Sequence, residues 1–194
     1  MWDERYATQG FVFGVEPNRF VAEHLAGLAP CRVLDLGSGQ GRNAVWLAGQ
    51  GHQVTAVDLS PVATTQAKQL AAATGVTVDF ITADLLVWEP EPGGFDLVVL
   101  SYLQLIPERR VPVHAKAVRA LAAGGTLFLI AHHLDNLTDG IGGPQLPEYL
   151  FTETELAEDF AGLVIDRLGR VLRPVDRDGV AGDAIDVLLV AHRG

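Results

Sequence analysis

Apolar residues along the chain are grouped in short runs that alternate with amphipathic segments. Five of the runs are typical of buried strands: "RVLDLG", "QVTAVD", "VTVDFITAD", "FDLVVLS" and "GGTLFLIAHH". Helical spacing follows three of them, from Gly41 to Gln50, from Ser60-Pro61 to Gly75, and from about Pro107 to Ala123. Strands that alternate with helices predict an α/β fold with a mainly parallel sheet.

The two ends of the chain depart from this alternation. Residues 1–16 are rich in aromatic side chains, and a helix that starts near Pro17 is expected to follow. Its apolar face would consist of Phe20, His24, Leu25 and Leu28. Residues 132–151 predict a long loop, after which Thr152 and Glu155 are spaced as a helix capping box. The last two apolar segments, "LVIDRLGRVLR" and "AIDVLLVAH", predict an antiparallel hairpin.

Length and composition limit the class of protein. With 194 residues, 48% of them hydrophobic and 20% charged, the chain is expected to form a single globular domain over residues 1–194. No apolar run approaches the roughly 18 residues that span a bilayer. The start of the chain, "MWDERYATQG", lacks the basic and apolar regions of a signal peptide. Together with the single cysteine, Cys31, these features predict a cytoplasmic protein without disulfides and without a membrane partner.

Charge and motif content exclude further classes. The formal net charge of −10 argues against a nucleic-acid substrate, because an acidic surface repels phosphate backbones. No histidine–carboxylate spacing is typical of a zinc site, so no metal is expected. The pattern G-x-S-x-G is absent, which disfavours a Ser/His/Asp hydrolase.

The candidate ligand-binding residues are concentrated between Val33 and Asp58, in "VLDLGSGQGRNAVWLAGQGHQVTAVD". The loop Gly37-Ser38-Gly39-Gln40-Gly41 joins a predicted strand to a predicted helix. Glycines in such a loop allow positive φ and the close approach of a ligand, and the helix N-terminus offers free N–H groups. In open α/β sheets, ligands bind beyond the carboxyl ends of the strands, which is where this loop is expected to lie.

Two acids beside this loop distinguish between two ligand classes. A dinucleotide fingerprint, G-x-G-x-x-G, would need a glycine where Arg42 stands. Asp35, two residues before the first glycine, would repel a pyrophosphate and instead suits a cationic amino group. Asp58, at the end of the second strand, is placed to accept hydrogen bonds from two ribose hydroxyls. S-adenosylmethionine fits this description, because it has a ribose, a cationic amino-acid portion and no phosphate.

The same stretch resembles the first two motifs of class I S-adenosylmethionine-dependent methyltransferases, and the resemblance extends from about Arg32 to His132. It implies a Rossmann-like fold, a three-layer sandwich with a mostly parallel seven-stranded sheet and a C-terminal antiparallel hairpin. Residues 1–30 would be an N-terminal lid segment and helix, and residues 31–194 the Rossmann-like core. The cofactor-binding residues that the resemblance implies are Asp35, Gly37, Ser38, Gly39, Gly41, Arg42, Asn43, Asp58, Leu59, Ser60, Asp84, Leu85, Ser101 and Tyr102.

The resemblance also assigns positions within the site. The adenine or ribose would be flanked by Leu59, Ser60, Asp84 and Leu85. The methionine and the acceptor would be bordered by Ser101 and Tyr102, although ordinary packing is an equal alternative for Tyr102.

A narrower resemblance rests on the start, "WDERYATQGFVFGVEPNRFV", and on Asn43 after Gly-Arg. Both are similar to a branch that includes tellurite-resistance and thiol or thiopurine methyltransferases. In that branch an aromatic N-terminal segment covers the cofactor as a lid. The candidates here are Trp2, Tyr6, Phe11 and Phe13, whose alternative role is to cover the edge of the core.

One departure from that branch concerns the acceptor. Tellurite-acting members carry a late His-Arg pair, whereas this chain has Arg173-Pro174 followed by the acidic loop "VDRDGVAGDA". Tellurite is therefore disfavoured, and a small thiol or another small polarisable nucleophile stays open.

The sequence fixes no catalytic residue. Transfer from a sulfonium needs chiefly in-line alignment and a dry site. A thiolate or oxyanion acceptor needs no base, whereas an alcohol or amine does. The weak candidates are Tyr102 and the adjacent His132 and His133, of which only one histidine can face the site. A loop histidine that bonds to the backbone is the stronger interpretation.

Three functions stay open. The first is a methyltransferase acting on a small molecule, as a monomer or homodimer. The second is a non-catalytic module that binds S-adenosylmethionine, which only a turnover assay distinguishes from the first. The third is a nicotinamide-dependent oxidoreductase, which Asp35, the glycine spacing and the lack of a substrate domain disfavour.

Overall fold

The computed structural model describes residues 2–8, 10–177 and 179–194, which form a seven-stranded sheet with helices on its two faces. The strands are β1 (Arg32–Leu36), β2 (Gln53–Asp58), β3 (Asp79–Thr82), β4 (Phe95–Ser101), β5 (Leu121–His132), β6 (Val164–Arg177) and β7 (Val180–His192). The helices are α1 (Trp2–Thr8), α2 (Arg19–Leu25), α3 (Arg42–Gly49), α4 (Pro61–Thr74), α5 (Pro107–Ala120), α6 (Asn136–Asp139) and α7 (Glu153–Asp159). None of the helices in the described part of the chain has the length and apolar character needed to cross a bilayer.

The strand order is β3-β2-β1-β4-β5-β7-β6. Strands β1 to β5 run parallel to one another, and β7 pairs antiparallel with both β5 and β6. This arrangement confirms the predicted Rossmann-like methyltransferase fold with its C-terminal hairpin. The chain reverses its direction across the sheet between β1 and β4, and ligands bind at such a switch point.

Strand β1 lies between two hydrophobic cores, because alternate side chains of a strand point to opposite faces. Val33 belongs to the core beneath α2 and α3, whereas Leu34 and Leu36 belong to the core beneath α5 and α7. Asp35 is only 1% exposed and shares the Val33 face of the strand. A buried acid in a central strand of the sheet is an exception to apolar packing, and Asp35 lies shortly before the glycine loop.

Two local predictions about helix ends are confirmed. The Ser60 side chain accepts the N–H of Ala63, Pro61 opens α4, and Gly75 ends it with φ +72. Thr152 and Glu155 form the reciprocal hydrogen bonds of a capping box at the start of α7.

The helix predicted near Pro17 has different boundaries. It is capped by Asn18, whose Oδ1 accepts the N–H groups of Phe20 and Val21. The helix ends at Leu25, so Leu28 lies outside it and is exposed, contrary to its predicted place on the apolar face. The Asn18 cap is stronger than the proline as a start signal.

Three other boundaries also differ from the predictions. Helix α5 ends at Ala120 rather than Ala123, because Leu121 already pairs with Phe95 and is fully buried. The predicted loop over 132–151 contains α6 and a short 3-10 helix, Pro147–Tyr149. The hairpin strands are longer than predicted, 14 and 13 residues.

Candidate active site

The glycine loop joins the end of β1 to the start of α3 at the carboxyl edge of the sheet. Gly41 caps α3 with φ +80 and offers no side chain to the first N–H groups of the helix. A Cβ on Gly37 would lie 2.6 Å from Leu103 Cδ1, and one on Gly41 would lie 2.7 Å from Ala67 Cβ. Both positions have a positive φ that favours glycine, and Gly41 also needs glycine for space because Ala67 has no flexible side chain that could move away. A ligand at this loop meets uncapped backbone donors.

Asp58 ties the loop to the end of β2. Its Oδ2 accepts the N–H of Gly39 at 2.7 Å, and its Oδ1 accepts the N–H of Ser60 at 2.9 Å. Burial raises the pKa of Asp58, and these backbone hydrogen bonds oppose the shift. The side chain also lines the cleft. Its binding of ribose hydroxyls stays a prediction, but the same carboxylate now has a second role in shaping the loop.

Asp35 is a buried carboxylate whose Oδ2 has no hydrogen-bond partner among the described residues. Burial, and then the negative charge of Asp58, raise its pKa from 3.8 to about 7, while Arg42 opposes the shift. An anionic ligand at the loop would add a further negative charge beside this group. A ligand with a cationic portion would instead favour the ionised carboxylate.

The cleft above the loop has a volume of about 900 Å³. The predicted cofactor residues on its wall are Gly37, Ser38, Gly39, Arg42, Asn43, Asp58, Leu59, Asp84, Leu85, Ser101 and Tyr102. Three others lie behind the wall. Asp35 is buried in the sheet, Gly41 packs against Ala67, and Ser60 is the buried cap of α4. These three support the wall from behind in this structure.

The loop after β3 forms the end of the cleft assigned to adenine. Asp84 Oδ1 accepts the N–H of Leu86 at 2.9 Å, and its Oδ2 lies 3.9 Å from Arg109. The buried ammonium of Lys116 donates to the carbonyl oxygens of Leu85 and Leu86 at 2.9 and 2.8 Å. Lys116 therefore fixes the backbone of the two residues that follow Asp84.

The aromatic N-terminal segment folds over the cleft. Trp2, Tyr6 and Phe13 line it, whereas Phe11 packs against the small cluster around Val45 and Leu70. Gln40 holds the segment from within the glycine loop: its Oε1 accepts the N–H of Val12 at 2.8 Å, and its Nε2 donates to the carbonyl of Gly10 at 2.6 Å. The segment has the position and the attachment of a lid.

Only one of the two candidate histidines reaches the cleft. His132 lines it at the end of β5. His133 lies outside the wall, because its Nε2 is 2.8 Å from Glu153 and its Nδ1 accepts the N–H of Asp135 at 3.0 Å. His133 therefore connects the loop after β5 to α7.

Tyr102 also lines the cleft, in a backbone conformation that is rare for a residue with a side chain, φ +53. Its hydroxyl donates to Asp186 at 2.6 Å and accepts from Arg173 at 3.1 Å. Burial and the charge of Asp186 raise the pKa of Tyr102 well above its usual range. Tyr102 therefore stays protonated and acts as a hydrogen-bond donor.

The contributors to the site that were not predicted from the sequence include Gln40, Lys116, Arg173 as a wall residue, and Asp186. The sequence does contain an indication that Asp186 has a special role, because it is an acid within the otherwise apolar run "AIDVLLVA". An acid in a buried strand needs partners, and here they are Tyr102 and Arg173. Gln40 occupies a variable position of the glycine motif and gives no such signal.

The residues present fit S-adenosylmethionine. The orphaned oxygen of Asp35 suits its cationic amino-acid portion, and the Cβ-free positions at Gly37 and Gly41 allow the loop to form. Asp58 combines an accessible carboxylate with a fixed position. None of these features depends on a phosphate.

Comparisons of the sequence agree with this fit. Residues 33–125 match the family model described as a methyltransferase domain. The ubiquinone biosynthesis O-methyltransferase of Idiomarina loihiensis is 35% identical over 112 residues, which cover 56% of this chain and 45% of that protein. The enzyme of the same name from Pseudomonas aeruginosa is 38% identical over 109 residues, covering 54% and 45%. The chain thus spans about half the length of the curated relatives it matches.

Solved structures share the whole fold. One, described as "Conversion of a Disulfide Bond into a Thioacetal Group during Echinomycin Biosynthesis", is 26% identical with a TM-score of 0.78 and covers 99% of this chain and 90% of its own. TehB from Haemophilus influenzae is 20% identical with a TM-score of 0.75 and covers 100% and 66%. Residues 33–125 therefore match a methyltransferase domain in sequence, and the whole chain shares the fold of these solved structures. S-adenosylmethionine is the cofactor that these matches imply, and they favour a methyltransferase over the nicotinamide-dependent oxidoreductase.

Proposed function

We propose that the chain is an S-adenosylmethionine-dependent methyltransferase that acts on a small molecule. The observation that carries this proposal is that one cleft combines the Asp58-bound glycine loop with a separate polar wall formed by Tyr102, His132 and Arg173. A module that only bound the cofactor would not need the second wall. We further expect the protein to act in the cytoplasm, as a monomer or homodimer, without a nucleic-acid partner.

The residues of the chain perform three tasks in this proposal. Bound S-adenosylmethionine supplies a methyl group on a sulfonium, which is already an activated leaving group. The glycine loop and Asp58 hold the cofactor. The N-terminal lid, which contributes Tyr6 and Phe13 to the wall of the cleft, excludes water. The wall at Tyr102 and His132 orients the acceptor for in-line attack.

Two kinds of nucleophile are supported by the comparisons. The curated relatives are named O-methyltransferases, which favours oxygen. The structure whose description concerns the conversion of a disulfide into a thioacetal favours sulfur, as does the resemblance to thiol methyltransferases. The proposal therefore covers small hydroxyl compounds and small thiols, and the experiment has to include both.

The test is transfer of a labelled methyl group. The protein is incubated with methyl-deuterated S-adenosylmethionine and matched acceptors: phenol, catechol and benzyl alcohol, with benzenethiol and benzyl mercaptan as sulfur counterparts. We expect S-adenosylhomocysteine and a deuteromethylated product from at least one acceptor. Cofactor binding without any transfer would support the non-catalytic module and contradict the proposal.

A further inference from the structure

A buried histidine–aspartate pair stands at the acceptor end of the cleft. His132 on β5 and Asp186 on β7 are direct partners in the antiparallel register, so their side chains share one face of the sheet. His132 Nδ1 lies 2.9 Å from Asp186 Oδ1. The two atoms meet off the ideal hydrogen-bond angle, but neither has another partner among the described residues. This contact is therefore the one that orients the ring, and such pairs commonly tighten when ligands bind.

The partners of Asp186 keep it ionised. Burial alone would raise the pKa of Asp186, but the close contact with His132 and the hydrogen bonds from Arg173 and Tyr102 outweigh it and hold the pKa below its usual value. An ionised carboxylate only accepts hydrogen bonds, so the contact assigns the proton of His132 to Nδ1. The lone pair is then on Nε2, at the opposite side of a ring that lines the cleft.

The other groups around His132 cannot take a proton near neutral pH. Tyr102, whose ring centroid is 4.7 Å from that of His132, keeps its own proton. Burial would lower the pKa of Arg173, but its hydrogen bond to Asp186 and the charges of Tyr102 and Asp186 raise it, so Arg173 stays charged. Arg42, the next cation toward the glycine loop, has its pKa lowered by burial but has no lone pair while charged. The imidazole is the proton acceptor that this cluster leaves available.

We propose that His132 is the general base of methyl transfer, that Asp186 is its positioning residue, and that the acceptor is therefore a hydroxyl compound. This inference rests on the proposed function. As the acceptor oxygen attacks, the bond from the methyl carbon to sulfur breaks and its electron pair stays on sulfur. The new carbon–oxygen bond forms, and the hydroxyl proton passes to Nε2 of His132. The products are a methyl ether, S-adenosylhomocysteine and a protonated imidazole.

A thiol would gain much less from this arrangement. Thiols have pKa values of about 8.5 and are partly ionised near neutral pH, whereas most hydroxyl groups are not. A base that is oriented by a buried carboxylate is therefore a substantial advantage only for a hydroxyl acceptor. The geometry thus favours oxygen over sulfur within the range of acceptors proposed above.

The chain supplies a matched control. His192 Nδ1 on β7 lies 2.8 Å from Asp166 Oδ2 on β6, but this second pair is exposed and does not line the cleft. Asp166→Asn therefore makes the same chemical change as Asp186→Asn in a pair that has no part in transfer.

The first test needs neither a variant nor an acceptor. Nitrogen-15 NMR of the wild-type protein, saturated with S-adenosylhomocysteine, reports which ring nitrogen of the neutral His132 imidazole carries the proton. The proposal requires the Nδ1–H form. An Nε2–H form would overturn it, because the base would then have no lone pair toward the cleft.

The second test compares Asp186→Asn with Asp166→Asn on the paired hydroxyl and thiol acceptors. We expect Asp186→Asn to lower kcat on hydroxyl acceptors about 100-fold. Cofactor affinity should stay within about threefold, and thiol turnover should change little. Asp166→Asn should behave as wild type.

Three outcomes of the turnover experiments would also count against the inference. Transfer to the thiols alone would overturn it and leave the proposed function standing. An unchanged kcat in Asp186→Asn would overturn the role of the pair. No transfer to either acceptor set would overturn the inference together with the proposed function, and calorimetric binding of the cofactor would show whether the cofactor site itself had failed.

Discussion

The carboxylate of Asp58 accepts the backbone N–H of Gly39 at 2.7 Å and thereby joins the ends of two neighbouring strands. Gly39 belongs to the loop after β1, and Asp58 is the last residue of β2. The residue predicted to hold the ribose is thus also a support of the loop predicted to hold the methionine. Changes at Asp58 should therefore affect the shape of the site and the binding of the cofactor together.

Asp58→Asn provides the first prediction. The amide keeps one acceptor oxygen but replaces the other with a donor, which would face the N–H of Gly39 or of Ser60. We expect the free energy of unfolding to fall by about 1–3 kcal/mol and the affinity for S-adenosylhomocysteine to fall at least about tenfold. Asp79→Asn, at an exposed position on β3, is the control and should leave both unchanged. Wild-type affinity in Asp58→Asn would exclude Asp58 from the cofactor site.

The raised pKa of Asp35 predicts pH-dependent binding. Its folded value of about 7 lies above the ordinary 3.8, so the fold favours the protonated form. The cationic amino group of S-adenosylhomocysteine favours the ionised form of Asp35, so binding should release a proton. We expect the affinity for S-adenosylhomocysteine to rise between about pH 5.5 and about pH 7.5, by at most tenfold per pH unit. Calorimetry in buffers of different ionisation enthalpy measures the released proton directly.

The raised pKa of Asp35 also predicts how the free energy of unfolding of the cofactor-free protein depends on pH. A raised folded pKa contributes stability that is complete below the unfolded value and is lost as the pH rises through the folded value. The contribution of Asp35 should therefore decline between about pH 4 and about pH 7. In Asp35→Asn this decline should be smaller, and the proton release on binding should disappear. An identical pH profile in the variant would show that Asp35 does not titrate in this range.

Gly41→Ala tests whether the loop needs glycine for space. The added Cβ would lie 2.7 Å from Ala67 Cβ and 3.2 Å from Phe80, at φ +80. We expect a loss of about 2–5 kcal/mol in the free energy of unfolding, from backbone strain and overpacking together. Gly75→Ala has a similar φ, +72, but nothing within 4 Å of its Cβ, so it should lose only about 1–2 kcal/mol. Urea unfolding of both variants gives the comparison, and equal losses would show that crowding at Ala67 is unimportant.

Gln40→Leu tests the attachment of the lid. The substitution removes the hydrogen bonds to Val12 and Gly10 and also the bond to Gln66. We expect S-adenosylhomocysteine to dissociate several-fold faster, which stopped-flow tryptophan fluorescence can follow. Gln50→Leu, at an exposed position just after α3, should leave dissociation unchanged. An unchanged rate in Gln40→Leu would mean that this segment does not control release of the ligand.

The sheet and the cofactor end of the site were predictable because their signals are local. Strand–helix alternation determines a parallel sheet, and Asp35, the glycines and Asp58 lie within one short stretch of sequence. The ends of the helices were less predictable. Asn18 rather than Pro17 sets the start of α2 through its local cap, whereas Leu121 leaves α5 because it pairs with Phe95, which is distant in the sequence.

The acceptor wall was not predictable for a specific physical reason. Tyr102 and Asp186 are 84 positions apart, and their meeting depends on how the hairpin is aligned. The register of β6 against β7 shifts between Ile165 and Arg167, and a one-residue shift changes which side chains share a face. The sequence contains Arg173 and Asp186, but it does not show that they meet.

Calorimetric titration of the purified protein with S-adenosylmethionine, S-adenosylhomocysteine and NAD tests the central claim most directly. The account predicts that the two sulfur compounds bind in the micromolar range or tighter, at about one per chain, and that NAD does not bind. Asp58→Asn should lose most of this binding, whereas Asp79→Asn should retain it. Binding of NAD without binding of the sulfur compounds would contradict the interpretation of Asp35, Asp58 and the glycine loop.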